Sequence, residues 1–295
     1  KLSVVEITHP SSKGCTERNR SGTPYDERMG ALENGKECLT CRYNNQDCVG
    51  HFGHIELAEP IYNRQFFKII CYLLQCICPT CSRPRILPQD AVFTGITRSK
   101  KYARLKEFVK NCSSIGTCPW EDCQDALPSF SYERNLDEIH QYYGKKKTAK
   151  KLPFTAANAL YVFLRISNEH LKVVGFNDDL DHCRPKMVSV PDQKDHILQF
   201  RPESMIFTIL PVIPPIARPF VVTDDEKCDD DLTDKYNSII KLCNNLKKEV
   251  ASGPGVKKSS KKQTEADRNQ MLASLRNHVW TLMDNRAERS RLSSG

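Results

Sequence analysis

The sequence predicts an α+β fold in which an irregular, metal-stabilised region is joined to a mostly helical one, with a helical hairpin toward the carboxyl end. Three observations predict it. Most of the fourteen cysteines sit in close pairs, one set with a histidine. Apolar residues recur at helical spacing through the middle of the chain. Two long apolar stripes of the same period follow an acidic run near the end.

At 295 residues with 39% apolar content, the chain can build a packed core in one or two domains. No stretch approaches about 20 consecutive apolar residues, and the amino terminus lacks a basic-then-apolar export pattern. The expectation is a soluble, intracellular protein with no membrane partner, in which paired cysteines bind metal rather than form disulfides. The formal charge of +8 is unevenly spread: Lys145, Lys146, Lys147, Lys150 and Lys151 form one run, and Lys257, Lys258, Lys261 and Lys262 another. Asp224, Asp225, Glu226, Asp229, Asp230 and Asp231 oppose them. Such runs read first as solvated surface, so charge alone identifies no partner.

Residues 1–66 are rich in Gly, Asn, Thr and Cys, as expected where metal ligands fix loops. The dense apolar stretch at 64–77, RQFFKIICYLLQCI, predicts a helix with Cys71 and Cys76 in the core. In TAANALYVFLRI, 155–166, Leu160, Phe163 and Leu164 share a helical face behind Thr155 as N-cap. A short helix from Glu169 to Val174 ends at Gly175. Pro211, Pro214 and Pro215 predict a stiff, extended segment that does not invite sheet pairing. Leu232, Tyr236, Ile239, Ile240, Cys243, Leu246 and Val250 make one long stripe, capped by Asp230 or Asp231. Met271, Leu272, Leu275, Val279, Leu282 and Met283 make the second, and the two pair as an antiparallel hairpin across a Gly/Ser/Lys loop at 252–264.

Two constellations carry the chemistry. Cys38, Cys41, Cys48 and His51 have the spacing C-x2-C-x6-C-x2-H, in which each short step lets one tight turn present two ligands to one ion. His54 competes for the fourth place; His51 keeps the two-residue gap of the first pair. Cys78 and Cys81 pair with Cys118 and Cys123 across a 36-residue excursion, with Cys112 as the competitor of Cys118. Each set fills a four-ligand zinc tetrahedron and leaves no open position for water, so both read as structural rather than catalytic sites. Cys15, Cys183, Cys228 and Cys243 stand alone as ordinary thiols.

The segment from Tyr25 to Asn63, YDERMGALENGKECLTCRYNNQDCVGHFGHIELAEPIYN, closely resembles the first zinc region of the largest subunit of eukaryotic, archaeal and large-DNA-virus RNA polymerases. The second cysteine set, SNEHLKVVGFN (167–177), RPESMIFTILPVIPPIARPFV (201–221), DDLTDKYNSIIKLCNNL (230–246) and NHVWTLMDN (277–285) follow that family's order. The resemblance implies the clamp, a module that closes over DNA and the RNA–DNA hybrid. Residues 1–66 and 199–295 would then be clamp core, the latter with the hairpin, and 67–198 clamp head. It further implies two structural Zn2+ ions, and as partners the second-largest subunit, smaller subunits, template DNA and nascent RNA. By the same resemblance Arg218 is the candidate nucleic-acid contact.

The Asp-Phe-Asp-Gly-Asp loop that holds catalytic Mg2+ in this family does not occur in the 295 residues. The expectation is therefore a fragment of a longer subunit, non-catalytic by itself, located in the nucleus, or in a viral factory or virion if viral. The stretches 124–154 and 251–264 depart from the family pattern and suggest a distant lineage, such as a large DNA virus or a protist. Two other classes fit less well. A ubiquitin-ligase zinc domain needs a longer gap than Cys41 to Cys48, and a zinc-finger regulator needs a recognition helix there.

Overall fold

The computed structural model describes residues 2–11, 20–90, 95–96, 98, 101–133, 138–144, 150–176, 201–219, 221–223, 226–251 and 261–283. Cys15, Cys183, Lys145 to Lys147, Lys257, Lys258, Asp224 and Asp225 lie outside them. In chain order the strands are β1 (Ser3–Glu6), β2 (Phe52–Tyr62), β3 (Ser129–Glu133), β4 (Glu138–Tyr142), β5 (Leu152–Phe154), β6 (Ile206–Val212), β7 (Val221–Thr223) and β8 (Glu226–Cys228). The helices are α1 (Phe67–Cys76), α2 (Lys101–Cys112), α3 (Ala156–Leu164), α4 (Asn168–Val173), α5 (Asp231–Ala251) and α6 (Lys261–Met283). The chain forms two compact units, Lys1–Glu59 with Thr208–Gly295, and Pro60–Phe207. The change-overs fall within β2 and β6, whereas the sequence suggested boundaries at 66/67 and 198/199.

The first unit contains a sheet of order β1-β2-β6, with β1 parallel to β2 and Glu6 opposite His54. Period-2 alternation puts Gly53, Ile55 and Leu57 of β2 inward. β6 corrects the expectation of a segment that avoids sheet pairing: the strand, which includes Pro211, lies at the edge of the sheet, where a missing N–H is tolerated. The chain then turns into a short 3-10 helix, Pro215–Ala217. Asp230 caps α5, its carboxylate accepting from the Leu232 N–H at 3.0 Å. Tyr236, Ile239, Ile240, Cys243 and Leu246 are buried as the stripe requires. The two long helices pack together, and Lys235 near the start of α5 acts electrostatically on His278 near the end of α6, an antiparallel arrangement. Only Leu275 and Val279 of the second stripe are fully buried, Met283 is exposed, and the helix begins at Lys261, inside the expected loop.

Among its described residues the second unit adds to the expected helices an antiparallel sheet of order β3-β4-β5. One core gathers Phe67, Ile70, Leu73 and Leu74 of α1, Leu105 and Phe108 of α2, Phe130 and Ile139 of the sheet, and Phe163 of α3. Thr155 caps α3 as predicted, its hydroxyl accepting from the Asn158 N–H at 3.2 Å, and Gly175 follows α4 with φ +84°. The buried face of α3 is Ala156, Ala159, Val162 and Phe163, so Leu164 points outward. Cys71 and Cys76 are core residues. Among the described residues no helix is long and apolar enough to cross a membrane.

Candidate metal centres

The first group is assembled by loops. A 3-10 helix at Glu27–Met29 is held by Asp26, whose carboxylate accepts from the Gly22 N–H at 2.6 Å, the Arg28 N–H at 3.0 Å and the Arg28 guanidinium at 2.8 Å. Burial opposes the Asp26 charge, but these donors prevail and its pKa falls below the ordinary value. The turn then serves as a template. The Met29 carbonyl accepts from the His51 N–H at 2.9 Å, and the Glu27 carbonyl from the Leu39 N–H at 3.2 Å. Gly50 has φ +80°, and a Cβ there would stand 2.6 Å from the Pro214 Cβ, so only glycine fits this approach to the second ligand pair.

These constraints bring the ligand atoms of Cys38, Cys41, Cys48 and His51 within 4.8 Å of one another. Cys41 Sγ is 3.6 Å from Cys48 Sγ, which is 3.8 Å from His51 Nε2. Sulfurs bound to one tetrahedral zinc at about 2.3 Å stand about 3.8 Å apart, whereas a disulfide closes to about 2.05 Å. The donor set and its spacing therefore fit a tetrahedral metal. His54 is not part of the group: it lies on β2, bonded through Nδ1 to Ser3 Oγ at 2.8 Å and grouped with Glu6 and Glu56.

The second group, Cys78, Cys81, Cys118 and Cys123, also gathers within 4.8 Å, with Cys78–Cys123 and Cys81–Cys118 sulfur separations of 3.8 Å. Each half is a tight turn. Cys78 N–H donates to the Arg83 carbonyl at 2.9 Å, and Cys118 N–H to the Asp125 carbonyl at 2.8 Å. Cys112 sits elsewhere, buried at the end of α2 against Cys76.

Among the described residues the non-glycine positive-φ positions are Arg42, Ser82 and Gln124, at +64°, +57° and +50°. Each directly follows the second cysteine of a turn. A left-handed residue there costs about 1 kcal/mol, a strain that persists only where the surroundings demand it. The N–H groups that follow two of them point at sulfur, Tyr43 at Cys41 and Arg83 at Cys81; elsewhere in the turns Thr40 donates to Cys38 at 3.4 Å, Gly50 and Ala31 to Cys48, Thr80 to Cys78 and Trp120 to Cys118. His51 first, and then the Tyr43 N–H, lower the Cys41 pKa to about 7. Burial pushes the Cys48, Cys78 and Cys118 thiols up by penalising their charged form, and the neighbouring cysteines of each group add to the rise.

The sequence reading missed Arg83. Its guanidinium bonds the Cys81 sulfur, pairs with Asp122 at 2.6 Å and lies 4.3 Å from the Trp120 ring, so it joins the two half-sites. Trp120 Nε1 in turn donates to the Pro84 carbonyl at 2.8 Å. A basic residue two places after Cys81, with an acid inside the opposite turn, was the available signal.

Arg218, the candidate nucleic-acid contact, lies inside the first unit rather than on its surface. It is 1% exposed and donates to the Ile213 carbonyl at 3.1 Å, the Thr233 hydroxyl at 2.8 Å and the Pro24 carbonyl, between the rings of Tyr25 and Tyr236. Backbone oxygens and aromatic faces satisfy the charge, so the arginine fastens Pro24 to α5.

A family profile described as RNA polymerase Rpb1, domain 1, matches residues 1–190 and 196–294. DNA-directed RNA polymerase II subunit RPB1 of Euplotoides octocarinatus is 28% identical over 241 residues, covering 77% of this chain and 46% of that protein. The DNA-directed RNA polymerase subunit Rpo1N of Methanocaldococcus jannaschii is 27% identical over 261 residues, covering 86% of this chain and 18% of the relative. Rpo1N of Thermococcus celer is 27% identical over 268 residues, covering 86% and 26%. The chain thus spans less than half the length of each. With the profile matching nearly every residue, the chain belongs to the RNA polymerase Rpb1 domain 1 family.

Proposed function

We propose that this chain is the amino-terminal, clamp-forming part of the largest subunit of a DNA-directed RNA polymerase, which makes RNA on a DNA template from ribonucleoside triphosphates. The profile match across residues 1–190 and 196–294 carries the reading. Residues 1–66 and 199–295 form clamp core and 67–198 clamp head; the discontinuous division of the chain supports this order. The partners are the second-largest subunit, smaller subunits, template DNA and nascent RNA, and the site of action is the nucleus.

The two cysteine groups hold one zinc each, Cys38, Cys41, Cys48 and His51 in the first unit and Cys78, Cys81, Cys118 and Cys123 in the second. Zinc would supply no bond-making chemistry here, because four protein donors complete each tetrahedron. The chain's own work is to fix loops: the strained turns and sulfur-directed N–H groups hold the ligands in place. Catalytic Mg2+ belongs to an aspartate loop that this sequence does not contain.

Affinity purification through a tag on the chain's parent protein tests the reading. A second large subunit should travel with it, and the complex should extend RNA on a DNA template. A preparation without that subunit that binds duplex DNA by sequence would make the protein a regulator, and ubiquitin transfer would make it a ligase.

A further inference from the structure

With Arg218 buried, a basic and aromatic surface stands out in the second unit. The segments 64–77 and 98–112, which supply α1 and α2, carry eight Lys or Arg and a single acid, Glu107. On α1, Lys68 precedes Tyr72 by one helical turn; on α2, Tyr102 precedes Lys106 by the same interval. The two tyrosines stack with ring centroids 6.1 Å apart and planes inclined by 22°. Lys68 Nζ lies 5.9 Å from the Tyr72 centroid and Lys106 Nζ 4.7 Å from that of Tyr102. Both lysines and Tyr102 are exposed. Neither ammonium has a carboxylate partner among the described residues.

We infer that Lys68, Tyr72, Tyr102 and Lys106 form a phosphate-binding surface for the backbone of a nucleic acid. A lysine on an unpaired surface normally samples many rotamers, and ordering it is an entropic cost. Here each ammonium lies over an aromatic face, which narrows the space it samples while the exposed side chain stays open to solvent. The excess of positive charge favours a polyanion. The rings are engaged with each other and with the lysines, which favours phosphate contact over base stacking and gives binding without sequence preference. The inference deepens the polymerase reading and rests on it for the presence of nucleic acid.

The test is the salt dependence of binding to a mixed-sequence fluorescein-labelled duplex, followed by anisotropy with the zinc-loaded full chain. Each phosphate contact contributes a slope of about 0.9 in log K against log salt, so Lys68→Gln with Lys106→Gln should flatten the plot by roughly 2. Lys68→Arg with Lys106→Arg should keep the slope. Lys151→Gln with Lys241→Gln removes the same charge from exposed positions elsewhere and should leave it nearly unchanged. An unaltered slope in the first double variant, an equal loss in the control, or polyglutamate competing as well as duplex would overturn the inference. If the second large subunit still co-purifies in such a case, the polymerase reading stands and this surface alone is lost.

Discussion

Arg218 shows why a residue's type and its neighbours in sequence do not decide its role. An arginine after a proline run looks like a hand reaching for phosphate, but the acceptors that claim it come from Pro24 and Thr233, far away in the chain. Burial lowers its pKa, and the two flanking tyrosine rings partly offset the cost of keeping it charged. Arg218→Ala would leave those acceptors without a donor and open a gap between the rings, for a loss of about 3–5 kcal/mol. Arg218→Lys should recover part of it, since an ammonium cannot reproduce the guanidinium fork. Denaturant midpoints measure both, and the salt slope of duplex binding should not move. A reduced slope at full stability would restore Arg218 as a nucleic-acid contact. The two four-residue groups of donor atoms were legible because a C-x2-C turn is a local object that needs no knowledge of the rest of the fold.

Among elements, those with a strong local period were read correctly and those that depend on pairing were not. α1 and α5 declared themselves by apolar spacing, and Thr155 and Asp230 by cap chemistry. β2 was overlooked although His54-Ile55-Glu56-Leu57 alternates cleanly, because the adjoining metal ligands drew the segment into a loop reading. The β3–β5 sheet has short strands whose register is set by partners as far apart as Ile139 and Phe154, a relation that periodicity does not carry. Arg83 was missed for the same reason, since its partners Asp122 and Trp120 lie across the excursion that α2 spans. Its exposed ion pair with Asp122 contributes little by itself. Its bond to the Cys81 sulfur and its cover over Trp120 matter more, because outer partners orient ligands. Arg83→Ala should therefore weaken zinc at the second group by about 10–100-fold, measured by competition with a chromophoric chelator. Affinity at the first group should be untouched, and equal weakening of both would show a general loss of folding instead.

At the scale of the molecule, the two metal groups stand in very different surroundings. Between Arg20 and His51 the chain has no strand and only one short 3-10 helix, so on the proposed zinc reading the loops around Cys38, Cys41, Cys48 and His51 would depend on the ion for their order. The second group instead rests on its own small cluster with Leu127 and Trp120, beside a continuous core of α1, α2, α3 and the β3–β5 sheet that buries Ile70, Leu73, Leu74 and Phe108 without metal. Cys38→Ser and Cys78→Ser should each reduce zinc from two ions per chain to one, since the groups lie in separate units. Their structural consequences should differ. In Cys38→Ser, amide exchange should become fast from about Glu27 through His51, including the His51 and Leu39 amides that bond to the 3-10 turn. In Cys78→Ser, the turns at 78–83 and 116–127 should lose protection while the Ile70, Leu73 and Leu74 amides of α1 keep theirs. If α1 opened together with the turns, zinc would be a condition for the second core rather than a clasp on its surface, and the different weights given to the two sites would have to be reversed.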